Sequence, residues 1–285
     1  MMSKVFLARN ANSNFILHTI LLTPEHTHRN FPLVLSLLKR YFFQWQHTLT
    51  PRYHSIELTS NTLLTLQDYI PGENAWIRSV REGIISDEFS VWNTQRYFEQ
   101  LLLFLSELHQ RKASGSGYIE NIGDGFLIGK SPSWKYFLES ESRNWCEQLN
   151  LPHDSKRKII KLIDSLPENL ETSLIHGDTI NPSNIRVQEE NIVWVIDWEW
   201  SLLADPAWEF ADLWWEKVIE RTRLDTYFRA SGIMGKKERN DFLERVEKYH
   251  ILWLLWWSAL HVLDENPNLS TLLFTELIAR IKKIS

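Results

Sequence analysis

The stretch LIHGDTINPSNIRV (residues 174–187), followed by VWVIDWEW (193–200), decides the fold of this 285-residue chain. In each segment a short apolar run ends at an aspartate, Asp178 in the first and Asp197 in the second, and Asn184 stands between them. Short apolar runs of this kind are typical of buried strands. Both carboxylates are therefore predicted to lie at strand ends or in the loops just after them.

Two carboxylates and an amide in such loops form a set of hard oxygen ligands, which suits a divalent cation. Magnesium prefers one or two protein carboxylates together with water and phosphate oxygens, so this set indicates a site for nucleotide phosphates. His-Gly-Asp alone can also be a simple turn. The longer pattern, with Asn184 and Asp197 following Asp178, is more demanding than a turn.

The same residues resemble the aminoglycoside phosphotransferase and choline kinase family. HGDTINPSNIRV and VIDWEWSLLADPAWEFADL contain elements like that family's His-Gly-Asp, Pro-x-Asn, Ile-Asp-Trp-Glu, Asp-Pro and Asp-Leu. Looser similarity is found in QDYIPGE (67–73), which is like the hinge between that family's lobes, in LSELHQ (105–110) and in SWKYFLE (133–139). The resemblance covers roughly residues 60–215.

This resemblance implies an α+β, two-lobed protein-kinase-like fold. Residues 1–72 are expected to form a small, reduced mixed α/β lobe, with a hinge at about 67–74. Residues 73–285 are expected to form a larger, mainly helical lobe that carries the catalytic and metal-binding loops. The activity implied is ATP- and magnesium-dependent transfer of the γ-phosphate to a hydroxyl of a small molecule, such as an amino alcohol or an aminoglycoside-like or sugar-like acceptor.

The resemblance also assigns roles to individual residues. Asp178 corresponds to the catalytic aspartate that orients or deprotonates the acceptor hydroxyl, and Asn184 and Asp197 correspond to the magnesium ligands. His176 belongs to the catalytic loop and is expected to brace it rather than to react. The nucleotide is expected to contact the hinge and the small lobe through Gln67, Asp68, Tyr69, Ile70 and His18.

Two features depart from the family pattern. Five residues separate Asp178 from Asn184 where the family has four, so the loop has to absorb one residue, and Asn181 is the alternative ligand if it does not. FILHTIL (15–21) offers His18 where the family places a phosphate-binding lysine. Histidine is neutral for much of the time near pH 7 and is a weaker phosphate ligand than lysine, unless His18 is simply an exposed strand residue.

These departures keep a second function open, namely a catalytically impaired, kinase-like protein that binds a nucleotide or another ligand. No glutamate occurs between Glu25 and Glu57, so the predicted small-lobe helix has none to pair with a lysine. A metal-dependent phosphohydrolase that uses His176, Asp178 and Asp197 is a third possibility. Such an enzyme needs no hinge, and the hinge-like segment therefore disfavours it.

The acceptor site is expected in the stretch WEFADLWWEKVIE (208–220). Glu209, Asp212 and Glu216 have the three-and-four spacing of one helical face, and Trp200 is nearby in the sequence. Acidic groups beside tryptophan favour a cationic acceptor, through ion pairing and cation–π contact. A solvated acidic face with tryptophans in the core explains the same residues.

Working outward, the chain alternates strand and helix signals. KVFLAR and FILHTILL predict a β-hairpin, and apolar periodicity predicts a helix over 31–45 and another over about 94–109. Further predictions are a strand over 62–72, a loop with a flexible tip at KASGSG (112–117), helices within 131–149 and 155–166, and a mostly helical chain from Trp208 onward.

The composition limits the remaining possibilities. A formal net charge of −5 argues against general nucleic-acid binding, which requires concentrated Lys and Arg. No stretch supplies eighteen apolar residues, so ILWLLWWSALHVL (251–263) predicts a buried helix rather than a membrane span. The amino terminus shows no secretory pattern, and the lone Cys146 excludes an intramolecular disulfide, which together favour the cytoplasm. The oligomeric state is left open.

Overall fold

A computed structural model shows the architecture. It describes residues 3–9, 14–21, 49, 53–58, 62–68, 73–74, 80–81, 84–85, 94–111, 113–123, 126–179, 184–189, 191–212, 224–261 and 267–284. The helix predicted over 31–45 lies outside these residues.

The first described unit is a four-stranded antiparallel sheet with the order β1-β2-β4-β3. Its strands are β1 (Ser3–Arg9), β2 (Asn14–Leu21), β3 (Tyr53–Leu58) and β4 (Thr62–Asp68). The predicted hairpin is confirmed, because β1 and β2 pair antiparallel from Ser3↔Ile20 to Arg9↔Asn14. The strand predicted over 62–72 is β4, which ends at Asp68. The sheet uses residues 3–68 only, while the domain boundary near residue 72 stays a prediction.

Short strands follow the predicted hinge. They are β5 (Glu73–Asn74), β6 (Val80–Arg81) and β7 (Ile84–Ile85), of which β6 and β7 form a two-stranded sheet. The two aspartate segments contribute β11 (Ser173–Ile175), β12 (Ile185–Gln188) and β13 (Asn191–Val195). β5 pairs with β12, which in turn pairs with β13. The chain just after the hinge segment is therefore hydrogen bonded to the strand that follows Asn184.

The remaining part of the described chain is mainly helical. Its helices are α1 (Thr94–His109), α2 (Trp134–Gln148), α3 (His153–Asp164), α4 (Asp225–Ala230), α5 (Lys236–His261) and α6 (Pro267–Lys283). α1 has the predicted bounds, since Leu101, Leu105 and Leu108 recur on one face and are fully buried. α2 begins after Ser133, whose side chain accepts a hydrogen bond from the Tyr136 amide.

The prediction of a flexible loop over 112–117 is wrong. β8 (Ala113–Ser114) and β9 (Ser116–Ile122) occupy this segment, within a sheet of the order β11-β14-β9-β10-β8 that also contains β10 (Leu127–Ser131) and β14 (Leu202–Ala204). Gly117 pairs with Leu203, and the ring of Phe137 lies 2.3 Å from where a Cβ of residue 117 would be. The small residues therefore permit close packing here.

Aromatic residues fill the interior of the helical part. Trp134 stacks on Phe137 at a centroid distance of 5.1 Å and meets Trp208 edge-on at 5.1 Å, while Trp208 contacts Tyr249 at 5.4 Å. Offset and edge-on contacts of this kind add to the free energy that large buried rings contribute. These tryptophans are packing residues.

A buried carboxylate joins this aromatic core to α5. Asp205 accepts hydrogen bonds from Arg245 Nε at 2.6 Å and from the Tyr249 hydroxyl at 2.9 Å, and it caps a short 3₁₀ helix (Pro206–Phe210) through the Ala207 amide at 3.1 Å. Arg245 lies over the ring of Phe242. The position of this 3₁₀ helix is thus fixed by a charged group on α5.

Residues 251–261 of the stretch predicted as a buried helix end α5, where Leu252, Leu254 and Leu255 are fully buried, and residues 262–263 lie outside the described residues. No helix among the described residues has the length and apolarity that crossing a membrane requires.

Replacing Arg245 with methionine should destabilise the fold strongly, because it leaves the buried Asp205 carboxylate without its counter-charge. The free energy of unfolding should fall by about 3 kcal/mol, as expected when one partner of a buried ion pair is removed. The same change at Arg157, whose ion pair with Asp154 is exposed on both sides, should have little effect. Urea unfolding of both variants measures the difference, and equal midpoints would contradict the role given to Asp205.

Candidate active site

The His-Gly-Asp loop begins where β11 ends. Gly177 adopts a left-handed conformation with φ +83°, and a Cβ at this position would lie 2.5 Å from the main-chain oxygen of Trp200. The loop therefore runs directly against the 3₁₀ turn Trp198–Trp200, which follows Asp197. Only glycine satisfies both requirements without strain.

His176 connects the two aspartate segments. Its Nε2 lies 2.8 Å from the carbonyl oxygen of Ile196, the residue before Asp197, and its Nδ1 lies 3.3 Å from the amide nitrogen of Asp178. A carbonyl oxygen can only accept, so Nε2 carries the proton and Nδ1 accepts the Asp178 amide hydrogen. One neutral imidazole thus fixes the main chain beside both carboxylates.

The surroundings of His176 keep its ring neutral. The residue is fully buried and its ring lies 4.6 Å from that of Trp198. Burial lowers the pKa of His176, against the opposing influence of Glu209, Ile196 and Glu199. A neutral, hydrogen-bonded histidine in this position supports the expectation that His176 braces the loop rather than reacts.

Asn184 returns to Asp178 despite the additional residue between them. Its Nδ2 donates to the main-chain oxygen of Asp178 at 2.9 Å and to Asp178 Oδ2 at 2.8 Å. The main-chain oxygen of Asn184 also accepts from the Ile196 amide at 2.8 Å. The loop therefore absorbs the extra residue, and Asn184 joins the two segments. The alternative ligand, Asn181, lies outside the described residues.

Asp197 has an unusual backbone. Its φ and ψ are +65° and +60°, a left-handed conformation in which Asp and Asn are enriched among residues other than glycine. The residue is exposed, although neighbouring protein atoms take away part of the hydration of its carboxyl group. This desolvation and the neighbouring Glu199 raise the pKa of Asp197 to about 7. A nearby cation would stabilise the ionised form of a carboxyl group in this position.

Glu209 holds the His-Gly-Asp loop in place through hydrogen bonds. Its carboxylate accepts from the His176 amide at 2.7 Å, from the Gly177 amide at 3.3 Å and from the Thr179 hydroxyl at 2.6 Å. Burial alone would raise its pKa, but His109, 3.7 Å away, together with His176 and the Thr179 hydroxyl, lowers the pKa of Glu209 below its usual value. Hydrogen bonds to an ionised carboxylate are stronger than those to a neutral acceptor, so Glu209 fixes the loop firmly.

The predicted acceptor contact of Glu209 is therefore corrected. Glu209 lies in the 3₁₀ helix Pro206–Phe210 and is 4% exposed, so it faces the loop rather than an acceptor. Pro206 begins this tighter helix, which breaks the α-helical spacing that grouped Glu209 with Asp212. Asp212 is buried just after it, and Glu216 lies outside the described residues.

The other predicted site residues are spread over several elements. Trp200 is half-buried and contacts Trp256 and Trp257 at 5.4 and 5.2 Å. In the small sheet, His18 of β2 pairs with Thr65 of β4, and Gln67 and Asp68 end β4. Tyr69 and Ile70 lie outside the described residues. Their contacts with a nucleotide stay predictions.

Sequence reasoning missed the support that reaches this loop from α1. His109 Nδ1 lies 2.8 Å from the Tyr227 hydroxyl, and its other nitrogen faces Glu209. His109 and Tyr227 also border a cavity of about 380 Å³ that Asp205 lines as well. The Leu-His end of LSELHQ, which is part of the family resemblance, thus supports Glu209 through His109.

The oxygen donors at the loop ends fit a magnesium ion that is shared with phosphates. Asp178 is half-buried, Asp197 is accessible, and the carboxamide of Asn184 lies beside Asp178. The described residues contain no cluster of three or more His, Cys, Asp or Glu side chains able to hold a metal. Magnesium commonly takes only one or two protein carboxylates and completes its shell with phosphate and water.

Comparison with known proteins gives a consistent result. The family model described as the phosphotransferase enzyme family, APH, matches residues 37–243, which is more than half of the chain. No curated protein sequence matches the chain.

Among solved structures, the chain is similar to a thermostable mutant of aminoglycoside phosphotransferase APH(4)-Ia, with a TM-score of 0.64, 14% identity, and coverage of 98% of this chain and 90% of that one. The same mutant background has been solved as a ternary complex with AMP-PNP and hygromycin B. The chain is also similar to macrolide 2′-phosphotransferase type I, with a TM-score of 0.59, 12% identity, and coverage of 96% of this chain and 87% of that one. MphH from Brachybacterium faecium has a TM-score of 0.56, 15% identity, and coverage of 94% and 87%. The predicted protein-kinase-like fold is confirmed.

Replacing Gly177 with alanine should destabilise the fold more than the same change at Gly232. Both glycines have a positive φ, +83° and +76°, so both variants should lose about 1 kcal/mol from the backbone conformation. Only Gly177 has the Trp200 oxygen where the Cβ would be, whereas nothing lies within 4 Å at Gly232. Gly177→Ala should cost about 1–3 kcal/mol more. Chemical unfolding tests this, and equal losses would show that the loop is not packed against the turn.

Proposed function

The chain belongs to the phosphotransferase enzyme family, and on this premise we propose that it transfers the γ-phosphate of ATP to a hydroxyl group of a small molecule, with the help of magnesium. The observation that carries the proposal is the double link made by His176, which joins the main chain at Asp178 to that before Asp197. Phosphoryl transfer asks a protein mainly for alignment and charge, and this link sets both carboxylates in one rigid frame.

In this reaction the acceptor's hydroxyl oxygen attacks the γ-phosphorus. The bond between that phosphorus and the oxygen bridging to the β-phosphate breaks, and ADP leaves with the bridging oxygen. The hydroxyl proton passes to the carboxylate of Asp178. Asn184 Nδ2 donates a hydrogen bond to Oδ2 and orients this carboxylate for the acceptor, while the main-chain N–H of Asp178 donates to His176 Nδ1 and fixes the backbone.

Asn184 and Asp197 are the side chains that would hold magnesium. The ion would supply positive charge against the β- and γ-phosphates and keep them in line with the acceptor. The raised pKa of Asp197 supports this assignment, because an ion at this carboxylate relieves the cost of keeping it charged among protein atoms and beside Glu199.

The acceptor is proposed to bind beside Trp200 and Asp212. Trp200 offers a half-buried ring three residues after Asp197. An aromatic surface of this kind suits an amino alcohol or the apolar face of a sugar-like molecule. The aminoglycoside hygromycin B in the APH(4)-Ia complex supports a hydroxyl-rich acceptor class. Binding at the hinge segment, from Gln67 to Ile70, is proposed for the base of the nucleotide.

A second candidate function is nucleotide binding without transfer. The observation that favours it is His18, which stands in β2 where the family's phosphate-binding lysine is expected. The two functions differ in one measurable respect, since a binding protein retains affinity for MgATP but releases no ADP when an acceptor is added.

Replacing Asp178 with asparagine should abolish most of the turnover and leave nucleotide binding intact. The amide oxygen can still accept from Asn184, but it cannot take the proton, so kcat should fall by about 10²–10⁴-fold. Acceptor-dependent ADP release over a panel of amino alcohols, aminoglycosides and sugars measures it. Asp154→Asn, at an exposed carboxylate on α3, is the matched control. Unchanged turnover in Asp178→Asn would refute the mechanism, and ADP release without any acceptor would favour a phosphohydrolase.

Replacing Asp197 with asparagine should remove the magnesium dependence of ATP binding. The wild-type protein should bind ATP more tightly with Mg²⁺ than with EDTA, and the variant should bind equally in both, because it has lost the charged ligand. Asparagine also tolerates the left-handed backbone, so the fold should persist. Isothermal titration measures both affinities. A magnesium effect of the same size in the variant would exclude Asp197 as the ligand.

A further inference from the structure

Arg186 lies on β12, two residues after Asn184. The strand alternates regularly, since Ile185 and Val187 are buried in the core while Arg186 is half-buried and Gln188 is exposed. Successive side chains of a strand point to opposite faces, so Arg186 projects from the face turned away from this core. Two residues of extended chain span about 7 Å, which brings Arg186 close to the proposed metal end of the strand.

The neighbours of Arg186 place it where the two parts of the chain meet. It pairs with Asn74 of β5 on one side and with Trp194 of β13 on the other. β5 directly follows the hinge segment, and β13 leads to Asp197. Arg186 thus lies on the middle strand of a three-stranded sheet, between β5, which follows the hinge segment, and β13, which leads to Asp197.

The half-buried Arg186 differs from several arginines whose charge is balanced by a carboxylate. Arg245 pairs with Asp205, Arg239 with Asp225 and Arg280 with Glu276. Arg186 forms no ion pair with a described residue, and its buried Nε has no hydrogen-bond partner among the residues that the structure describes. A guanidinium always carries its charge, and burying a donor without a partner costs free energy. An anionic ligand would recover that cost.

We propose that Arg186 contacts the phosphates of the bound nucleotide and supplies the positive charge that a lysine on β2 would otherwise provide. The inference rests on the proposed function, since it assumes that the sheet formed by β5, β12 and β13 lies against the nucleotide. A guanidinium can contact two phosphate oxygens at once, which makes it an effective substitute for an ammonium group.

Affinities for adenosine, AMP, ADP and MgATP, measured by isothermal titration on the full chain, test this role. Arg186→Leu should weaken MgATP binding by roughly ten- to a hundred-fold, the usual effect of losing a charge-assisted hydrogen bond, and leave adenosine binding unchanged. Arg186→Lys keeps the charge but loses the fork of donors, so its MgATP affinity should lie between those of the wild type and Arg186→Leu. The loss in Arg186→Leu should shrink as the salt concentration rises.

Arg96→Leu is the matched control, because it removes the same charge at the opposite end of β13, where Arg96 donates to Asn191 Oδ1 at 2.8 Å. It should bind MgATP like the wild type. Thermal melting checks the fold, and Arg186→Gln replaces the leucine variant if that one melts early.

Unchanged MgATP affinity in the Arg186 variants would overturn the inference while leaving the proposed function standing. Equal loss for adenosine and MgATP would overturn it as well, because Arg186 would then contact the base or support the fold. Failure of the wild-type protein to bind MgATP would instead refute the proposed function, and the inference with it.

Discussion

A single imidazole holds the candidate site together. His176 donates to the carbonyl of Ile196 and accepts from the amide of Asp178, so the backbone positions of two segments about twenty residues apart are set by one ring. Neither bond is possible for the other tautomer, and a protonated ring would lose its acceptor. The packing of Trp198 on the ring and its complete burial keep it in the state in which both bonds form.

The buried carboxylate of Glu209 completes this arrangement from the opposite side. The pKa of Glu209 is lowered and so is that of His176, and for both groups the unfolded chain takes up protons more readily than the folded one as the pH falls. The stability that these groups contribute is therefore present near neutral pH and above, and it decreases toward acid pH. The loop is built from interactions that reinforce one another in the same pH range.

Local sequence patterns predicted those secondary-structure elements that depend mainly on residues close in the sequence. The hairpin of β1 and β2 and the bounds of α1 follow from β-branched clusters and from leucine periodicity. Patterns failed where distant pairing decides the structure. The small residues of 113–117 resemble a turn, but they pair with β10 (Leu127–Ser131) and, far along the chain, with Leu203 of β14. Glu209 was placed on an α-helix because periodicity alone does not show that Pro206 begins a 3₁₀ helix.

The candidate site divides in the same way. The types and order of Asp178, Asn184 and Asp197 indicated metal-assisted phosphoryl chemistry, because these side chains are the functional groups that such chemistry uses. The return of Asn184 to Asp178 across an additional residue depends on the path of the loop, which no spacing rule gives. The support of the loop by Glu209 crosses more than thirty residues, and no local pattern reports it.

The backbone of Asp197 restricts which sequences can occupy this position. With φ at +65°, Asp and Asn are the residues other than glycine that fit most readily, and β-branched side chains strain the main chain. Glutamate carries the same functional group but lacks the short side chain whose local hydrogen bonds favour this conformation. A variant selected in the laboratory for a different metal preference would therefore keep this backbone most easily if the changes were made at other ligands.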